Sequence, residues 1–180
     1  MTVFKKLQTN FTVLTIIFLW SLAALAAAKK ANVKVRLADN LNSIGKHSSK
    51  NSIPILVVFA SEDCVYCMIL ENEILKPMLI SGDYDQKVII RKILIDMPSS
   101  VQDFNGQSVT IDKLTSRYNI FVTPTVLFLD NNGKEISKRL IGINVVDYYA
   151  LDVDNAIDKS IRILRARAKK LSAKIQDYLR

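Results

Sequence analysis

The feature that most constrains the fold of this chain is a strand pattern that leads at once into a helix carrying two cysteines. We predict a buried strand over residues 54–60, where six apolar residues follow one another and favour the extended conformation. From Asp63 onward, apolar residues recur every three to four positions, which is typical of a helix. The only two cysteines of the chain, Cys64 and Cys67, lie at this junction.

The spacing of the two cysteines suits thiol–disulfide exchange. Cys64 is expected in the first turn of the helix, where exposed amides and the helix dipole stabilise a thiolate. Cys67 is near enough to close a disulfide with Cys64, so one sulfur can attack and the other can resolve the mixed disulfide. One alternative is a plain stapling bridge, although so short a loop constrains the unfolded chain little.

A metal site is the other alternative for the cysteine pair. The chain offers only two cysteines and one distant histidine, His47, which is a poor ligand set. His47 lies in a polar stretch, where we expect a solvated loop residue. We therefore expect no metal, and no cofactor other than the redox-active cysteine pair.

The first 28 residues have the pattern of a signal peptide. Two lysines precede an uncharged, mostly apolar stretch over residues 11–25, and alanines at 26–28 suit cleavage. We expect a periplasmic or secreted product, in which a disulfide can persist. The alternative is an uncleaved N-terminal membrane anchor, because residues 11–28 reach the shortest length that spans a bilayer.

Composition adds a modest positive charge. The chain has 25 Lys and Arg against 17 Asp and Glu. No basic patch is interleaved with aromatic residues, so we expect no nucleic-acid partner. A solvated surface is the ordinary interpretation of the excess charge, and a membrane or acidic-partner surface is the alternative.

The rest of the chain predicts alternating strands and helices. The patterns indicate, in order, a short helix ending near Gly45, the strand and cysteine helix, a strand over 87–97, a polar loop over 98–107, a helix over 110–119, a strand led by Pro124, a hairpin turn at Asn132–Gly133, a return strand over 135–140, and one long helix over 147–180. Pro77 should kink or end the cysteine helix. The long crossover predicts parallel pairing of the first two strands.

This succession of elements resembles the thioredoxin superfamily. The resemblance rests on Cys64-Val-Tyr-Cys67 at the strand-to-helix junction, on Pro77, and on Thr123-Pro124-Thr125 entering a strand. Within the superfamily the chain is most similar to periplasmic thioredoxin-related proteins of the SoxW kind and to the thioredoxin-like end domain of DsbD. The resemblance implies an α/β, thioredoxin-like fold with a central mixed sheet flanked by helices and a long C-terminal helix.

The implied domain organisation has four parts. They are a signal peptide over 1–28, an N-terminal extension with a short helix over 29–52, the thioredoxin-like domain over 53–160, and an extension of the last helix over 161–180. A thioredoxin domain needs only the first part of that helix to cover its sheet. We expect the extension to fold against its own domain, and the alternative is a homodimer or partner-docking helix.

The resemblance also implies roles for matching positions. Cys64 would be the exposed nucleophile and Cys67 the buried resolving thiol. Pro124 would be a cis-proline facing the cysteines, and Thr123 would offer its backbone to an extended substrate chain. Without the resemblance, Pro124 is simply a proline at a strand start.

Positions near the motif depart from thioredoxin and are candidates for tuning. Val58 stands where thioredoxin has a buried aspartate, so Glu62 or water is a candidate acceptor for the proton of the resolving thiol, and the ordinary interpretation of Glu62 is a solvated loop residue. Asp63 stands where thioredoxin has tryptophan, and the carboxylates of Glu62 and Asp63 should raise the pKa of Cys64, which favours a reductant. Tyr66 is similar to the motif tyrosine of glutaredoxin and DsbC, and the alternative is a surface aromatic.

These features predict an exported thiol–disulfide oxidoreductase that reduces or exchanges disulfides in extracytoplasmic proteins. Its partners would be those disulfide-bonded proteins and an extracytoplasmic thiol redox partner. A thiol peroxidase is disfavoured because the chain has no third cysteine. The alternative from another class is a thioredoxin-fold binding module whose disulfide is not catalytic.

Overall fold

The computed structural model describes residues 33–180, and the predicted signal peptide over residues 1–28 lies outside the described residues. The elements are α1 (Leu41–Asn51), β1 (Ile55–Ala60), α2 (Val65–Ile69), a π-helical segment (Leu70–Leu75), α3 (Lys76–Ser81), β2 (Ile89–Leu94), β3 (Ser100–Gln102), β4 (Ser108–Thr110), α4 (Ile111–Tyr118), β5 (Thr125–Leu129), β6 (Leu140–Ile141) and α5 (Val146–Tyr178). We refer to the continuous helix from Val65 to Ser81 as the cysteine helix. None of the helices within residues 33–180 is both long and apolar enough to cross a bilayer.

A four-stranded mixed sheet forms the centre of the structure, with strand order β2-β1-β5-β6. The predicted parallel pairing of β1 with β2 is confirmed, and β5 runs antiparallel to β1. Every residue of β1 and of β5 is buried, as expected for apolar runs in the middle of a covered sheet. The expected α/β, thioredoxin-like architecture is therefore confirmed.

Both faces of the sheet are covered by helices. Leu56 and Val58 face a core shared with the cysteine helix and the first half of α5. Val57 and Phe59 face a second core shared with α1 and α4. Because successive side chains of a strand point to opposite faces, one apolar run supplies both cores.

Helix α1 is longer than predicted. It runs through Gly45 to Asn51, so the expected ending near Gly45 and the expected loop around His47 are wrong. Gly45 marks a close approach instead, since a Cβ there would lie 2.4 Å from the carbonyl oxygen of Asn131. The helix ends at Ser52, which has a left-handed conformation.

The segment expected as a polar loop over residues 98–107 contains part of a two-stranded hairpin. Strands β3 and β4 pair antiparallel, with Val101 opposite Val109. Each strand has three residues and buries only its central valine. An alternation this short is too brief to separate from loop sequence.

The return strand after the Asn132–Gly133 turn is shorter than predicted. Only Leu140–Ile141 pairs regularly with β5, and Glu135 makes an isolated bridge to Leu129. Between them, the Ser137 hydroxyl donates to the carbonyl of Ala156 in α5. This contact directs the segment towards the helix and away from the sheet.

Pro77 does not end the cysteine helix. The helix continues to Ser81, and the residues from Leu70 to Leu75 are π-helical. At the end of that segment the Lys76 N–H donates to the carbonyl of Glu71, five residues back. The wider turn changes the hydrogen-bond pattern just before the proline, which has no N–H to donate.

Helix α5 is the single long helix that the sequence predicts, with 33 residues and a length of about 50 Å. Its first half is packed, with Val153, Ile157 and Ile161 buried. Every residue from 165 to 180 is exposed. Residues 165–180, which we call the arm, touch the domain through the ion pair of Arg167 with Asp130 but bury none of their residues against it.

Candidate active site

The two cysteines lie at the start of the cysteine helix. Cys64 is the N-cap residue and Cys67 lies in the first turn, so the predicted junction is confirmed. They form a disulfide with their Cα atoms 5.1 Å apart. The Cys67 N–H donates to Cys64 Sγ over 3.1 Å. Once the disulfide is reduced, an amide at a helix N-terminus in this position favours a thiolate on Cys64.

The two cysteines differ in exposure. Cys64 is half-buried, and Cys67 is buried with 8% of its surface exposed. An incoming sulfur therefore reaches Cys64 before Cys67. This difference is what an exchange reaction with one attacking and one resolving thiol needs.

The loop before β5 lies beside the cysteine junction. The hydroxyl groups of Ser61 and Thr123 are 3.3 Å apart, which places Thr123 next to the residues that precede Cys64. The peptide bond between Thr123 and Pro124 is cis. Pro124 is buried, and its carbonyl accepts a hydrogen bond from the Gly142 N–H over 2.8 Å.

Exposed apolar side chains occur in the cysteine motif and in the segments attached to it. The exposed fractions are 59% for Val65, 58% for Tyr66, 87% for Phe121, 49% for Val122 and 58% for Ile141. Phe121 and Val122 precede Thr123, and Ile141 precedes Gly142. The cysteine motif and the loop whose Thr123 contacts Ser61 therefore both present apolar side chains to solvent.

The two acidic residues before the motif point to solvent. Glu62 and Asp63 are both exposed. The backbone N–H of Glu62 donates to Asp96 Oδ2 over 2.8 Å, which anchors the turn between β1 and the cysteine helix. Glu62 also lines a cavity of about 250 Å³ together with Cys67.

That cavity contains an ion pair that no motif in the sequence predicts. Glu71 and Lys92 both line it, and Lys92 Nζ lies 2.6 Å from Glu71 Oε2. Their side chains are 17% and 22% exposed. Val58, which stands in β1 where thioredoxin has a buried aspartate, lines the same cavity. An acidic group thus lines the same cavity as the buried cysteine, but it comes from the helix and not from the strand.

A signal for Glu71 was present in the sequence. It lies four residues after Cys67, and residues so spaced share one face of a helix. No local pattern pointed to Lys92, because it comes from β2 and meets Glu71 only through the parallel pairing of β2 with β1.

Comparisons with known proteins concern the family and the fold. A sequence profile of the family described as thioredoxin-like domain matches residues 41–150. None of the curated proteins matches the sequence. A solved structure of a DsbH oxidoreductase is similar, with 16% identity, a TM-score of 0.53, and coverage of 70% of this chain and 86% of that one. A thioredoxin from Fasciola hepatica has 18% identity and a TM-score of 0.45, with coverage of 70% and 99%.

Proposed function

The chain belongs to the thioredoxin-like domain family, and from this we propose that it is an exported enzyme that reduces or exchanges disulfides in extracytoplasmic proteins. Its general class, a thiol–disulfide oxidoreductase, is supported by the family and by the disulfide of Cys64 with Cys67. The signal-peptide pattern of residues 1–28 supports export. The observation that carries the proposal is one half-buried and one buried cysteine, joined at a helix start.

In the proposed reaction the reduced enzyme passes two electrons to a substrate disulfide. The Cys64 thiolate attacks one substrate sulfur, so an intermolecular S–S bond forms and the other substrate sulfur leaves and takes up a proton. Cys67 then loses its proton and attacks Cys64 Sγ. The second substrate sulfur leaves, and the Cys64–Cys67 disulfide is restored. An extracytoplasmic thiol partner must reduce it again.

Substrate would be held by the loop at Thr123 and Pro124. Within residues 33–180 the N–H and carbonyl of Thr123 take part in no backbone hydrogen bond, so an extended substrate chain can pair there. The exposed side chains of Phe121 and Tyr66 supply apolar contact area beside it. We therefore expect substrates with an extended segment and apolar residues around the disulfide.

We assign the proton acceptor for Cys67 to Glu71, in place of the earlier candidate Glu62. Glu71 follows Cys67 by one helical turn, shares its cavity and is held there by Lys92. Glu62 is exposed to solvent. The exposed carboxylates of Glu62 and Asp63 remain candidates for disfavouring the Cys64 thiolate, which suits a reductant.

Cysteine variants test the proposed reaction. Cys64→Ser should abolish reduction of insulin disulfides, and Cys67→Ser should accumulate mixed disulfides because resolution is lost. Far-UV circular dichroism should show both variants folded. Insulin reduction by Cys64→Ser would refute the reaction. A reduction potential far more negative than the value of about −270 mV for thioredoxin would also refute the reaction, because a structural disulfide is harder to reduce.

A second set of variants tests Glu71. Glu71→Gln should slow resolution of a mixed disulfide by about 100-fold or more near neutral pH, and Glu71→Asp should restore part of the rate. The matched control is Glu62→Gln, which removes the other cavity-lining carboxylate. Stopped-flow kinetics across pH should show a changed profile for Glu71→Gln only. Equal effects of the two glutamine variants would contradict the assignment.

A further inference from the structure

The arm of α5 carries an apolar stripe that its own domain does not cover. Val153, Ile157 and Ile161 are buried at 0%, 1% and 8% exposure. The same helix face continues after them at spacings of three and four residues, but there Leu171 and Ile175 are 62% and 51% exposed. Tyr178 and Leu179, at the end of the same face, are 90% and 77% exposed. The helix therefore extends a packing surface beyond the domain that uses it.

Basic residues flank this stripe on both sides. Residues 165–180 contain six basic residues and one acidic residue. At 3.6 residues per turn, Arg165 and Lys169 fall on one side of the stripe, and Lys170 and Lys174 on the other. Within residues 33–180, Arg167 is the one basic residue of the arm that forms an ion pair, 3.0 Å from Asp130. The remaining charge is available to an external partner.

The first part of the stripe, as far as Leu171, faces a gap between the arm and the domain. A cavity of about 310 Å³ is lined by Leu164, Arg167, Ala168 and Leu171 on the helix side, and on the domain side by polar residues that include Ser48, Asn131 and Asp130, the partner of Arg167. The apolar side chains of the helix thus lie opposite polar residues of the domain.

The shape of the gap and the positive charge of the arm together indicate which kind of partner covers the stripe. A flat bilayer cannot cover the whole stripe, because the domain stands opposite Leu164, Ala168 and Leu171. A second copy would bring one positively charged arm against another. Nucleic acid would leave the apolar stripe without contacts. A helix with an apolar seam and acidic flanks is narrow enough to lie beside the domain, covers the apolar stripe and pairs with the basic residues of the arm.

We propose that the arm docks an acidic amphipathic helix of another protein, with the apolar seam of that helix on Leu171 and Ile175 and its carboxylates on the flanking basic residues. The site is separate from the cysteine pair. It therefore serves to recruit a partner whether or not that partner is a disulfide substrate.

The test uses a fluorescent three-heptad peptide with Leu at positions a and d and Glu at e and g. A matched peptide has Lys in place of Glu. Fluorescence anisotropy with the full chain should show binding of the Glu peptide, weaker at high salt, and no binding of the Lys peptide.

Two double variants with equal charge change locate the site. Leu171→Glu with Ile175→Glu should weaken binding of the Glu peptide by tenfold or more. Ala166→Glu with Ala173→Glu, on the opposite helix face, should weaken it by less than about threefold, and circular dichroism should confirm that both variants fold. Equal weakening would overturn the proposal, because it would indicate charge alone.

Three other results would also overturn it. One is no binding of the Glu peptide. The second is stripe-dependent binding to vesicles with 30% phosphatidylglycerol but not to the peptide. The third is a dimer in light scattering that the Leu171→Glu and Ile175→Glu variant abolishes.

Discussion

Among single residues, Gly45 is a glycine because the backbone of Asn131 approaches it too closely for a side chain. A Cβ at this position would lie 2.4 Å from Asn131 O and 3.3 Å from Phe104 Cδ1. Gly45→Ala should therefore destabilise the protein by about 1–3 kcal/mol, because a backbone atom has to shift. This loss outweighs the gain of up to about 1 kcal/mol in helix propensity. Urea unfolding checks it, with Lys46→Ala on the exposed face of α1 as the control, and an unchanged midpoint for Gly45→Ala would contradict it.

Tyr149 is a buried residue whose polar atom is unsatisfied. It is 6% exposed, and its hydroxyl has no hydrogen-bond partner among the described residues. Tyr149→Phe should leave the free energy of unfolding unchanged or raise it by up to about 1 kcal/mol, because it removes an unpaired buried group.

The matched control for Tyr149→Phe is Tyr84→Phe. The Tyr84 hydroxyl donates to Asp154 Oδ1 over 2.6 Å. Its loss should cost about 1.5–3 kcal/mol, as for hydrogen bonds to charged groups. Chemical denaturation of both variants decides, and a loss in Tyr149→Phe as large as in the control would show that the hydroxyl has a partner after all.

Among the elements, α5 divides into a packed half and an exposed half. A chain that ends at Leu164 keeps the buried Ile157 and Ile161 and loses only exposed residues, with the Arg167–Asp130 ion pair. Its free energy of unfolding should fall by no more than about 1 kcal/mol, the usual limit for an exposed pair. A chain that ends at Asn155 loses the buried residues and should unfold far more easily. Thermal and urea unfolding compare the two, and a large loss in the longer chain would show that the arm supports the fold.

The elements also show where sequence patterns succeed. The apolar run of β1, the cysteine helix and the long α5 were all predictable, because each has enough residues for its period to be clear. Strands β3 and β4 were missed because each buries one residue. The sequence predicts the end of α1 too early, because Gly45 is present for its close approach to the backbone of Asn131 and not as a helix terminator.

Across the whole molecule, three buried or hydrogen-bonded tyrosines link stability to alkaline pH. The hydrogen bond to Asp154, with burial, raises the pKa of Tyr84 to about 12. Burial raises the pKa of Tyr118 to about 12 and raises the pKa of Tyr149 as well. Between the ordinary tyrosine value of 10.0 and these values, the folded state keeps protons that the unfolded state releases.

The stability from these tyrosines should therefore be complete below about pH 10 and decline as pH rises towards 12. Urea unfolding at pH 8, 9, 10 and 11 should show a falling midpoint from about pH 10. Tyr84→Phe should reduce the steepness of the fall. A midpoint that stays constant or rises up to pH 11 would disagree with these shifts.

The sequence by itself determined the strand-to-helix junction and the cysteine pair, because these depend on residues close together in the chain, and it determined the family, because motifs and elements stand in a characteristic order along residues 41–150. The tertiary structure decided the cavity that joins Cys67, Glu71 and Lys92, and the exposure of the arm. A local pattern records which side of an element is apolar. It does not record which element covers that side, because this depends on contacts between residues far apart in the chain, and those contacts form only when the chain folds.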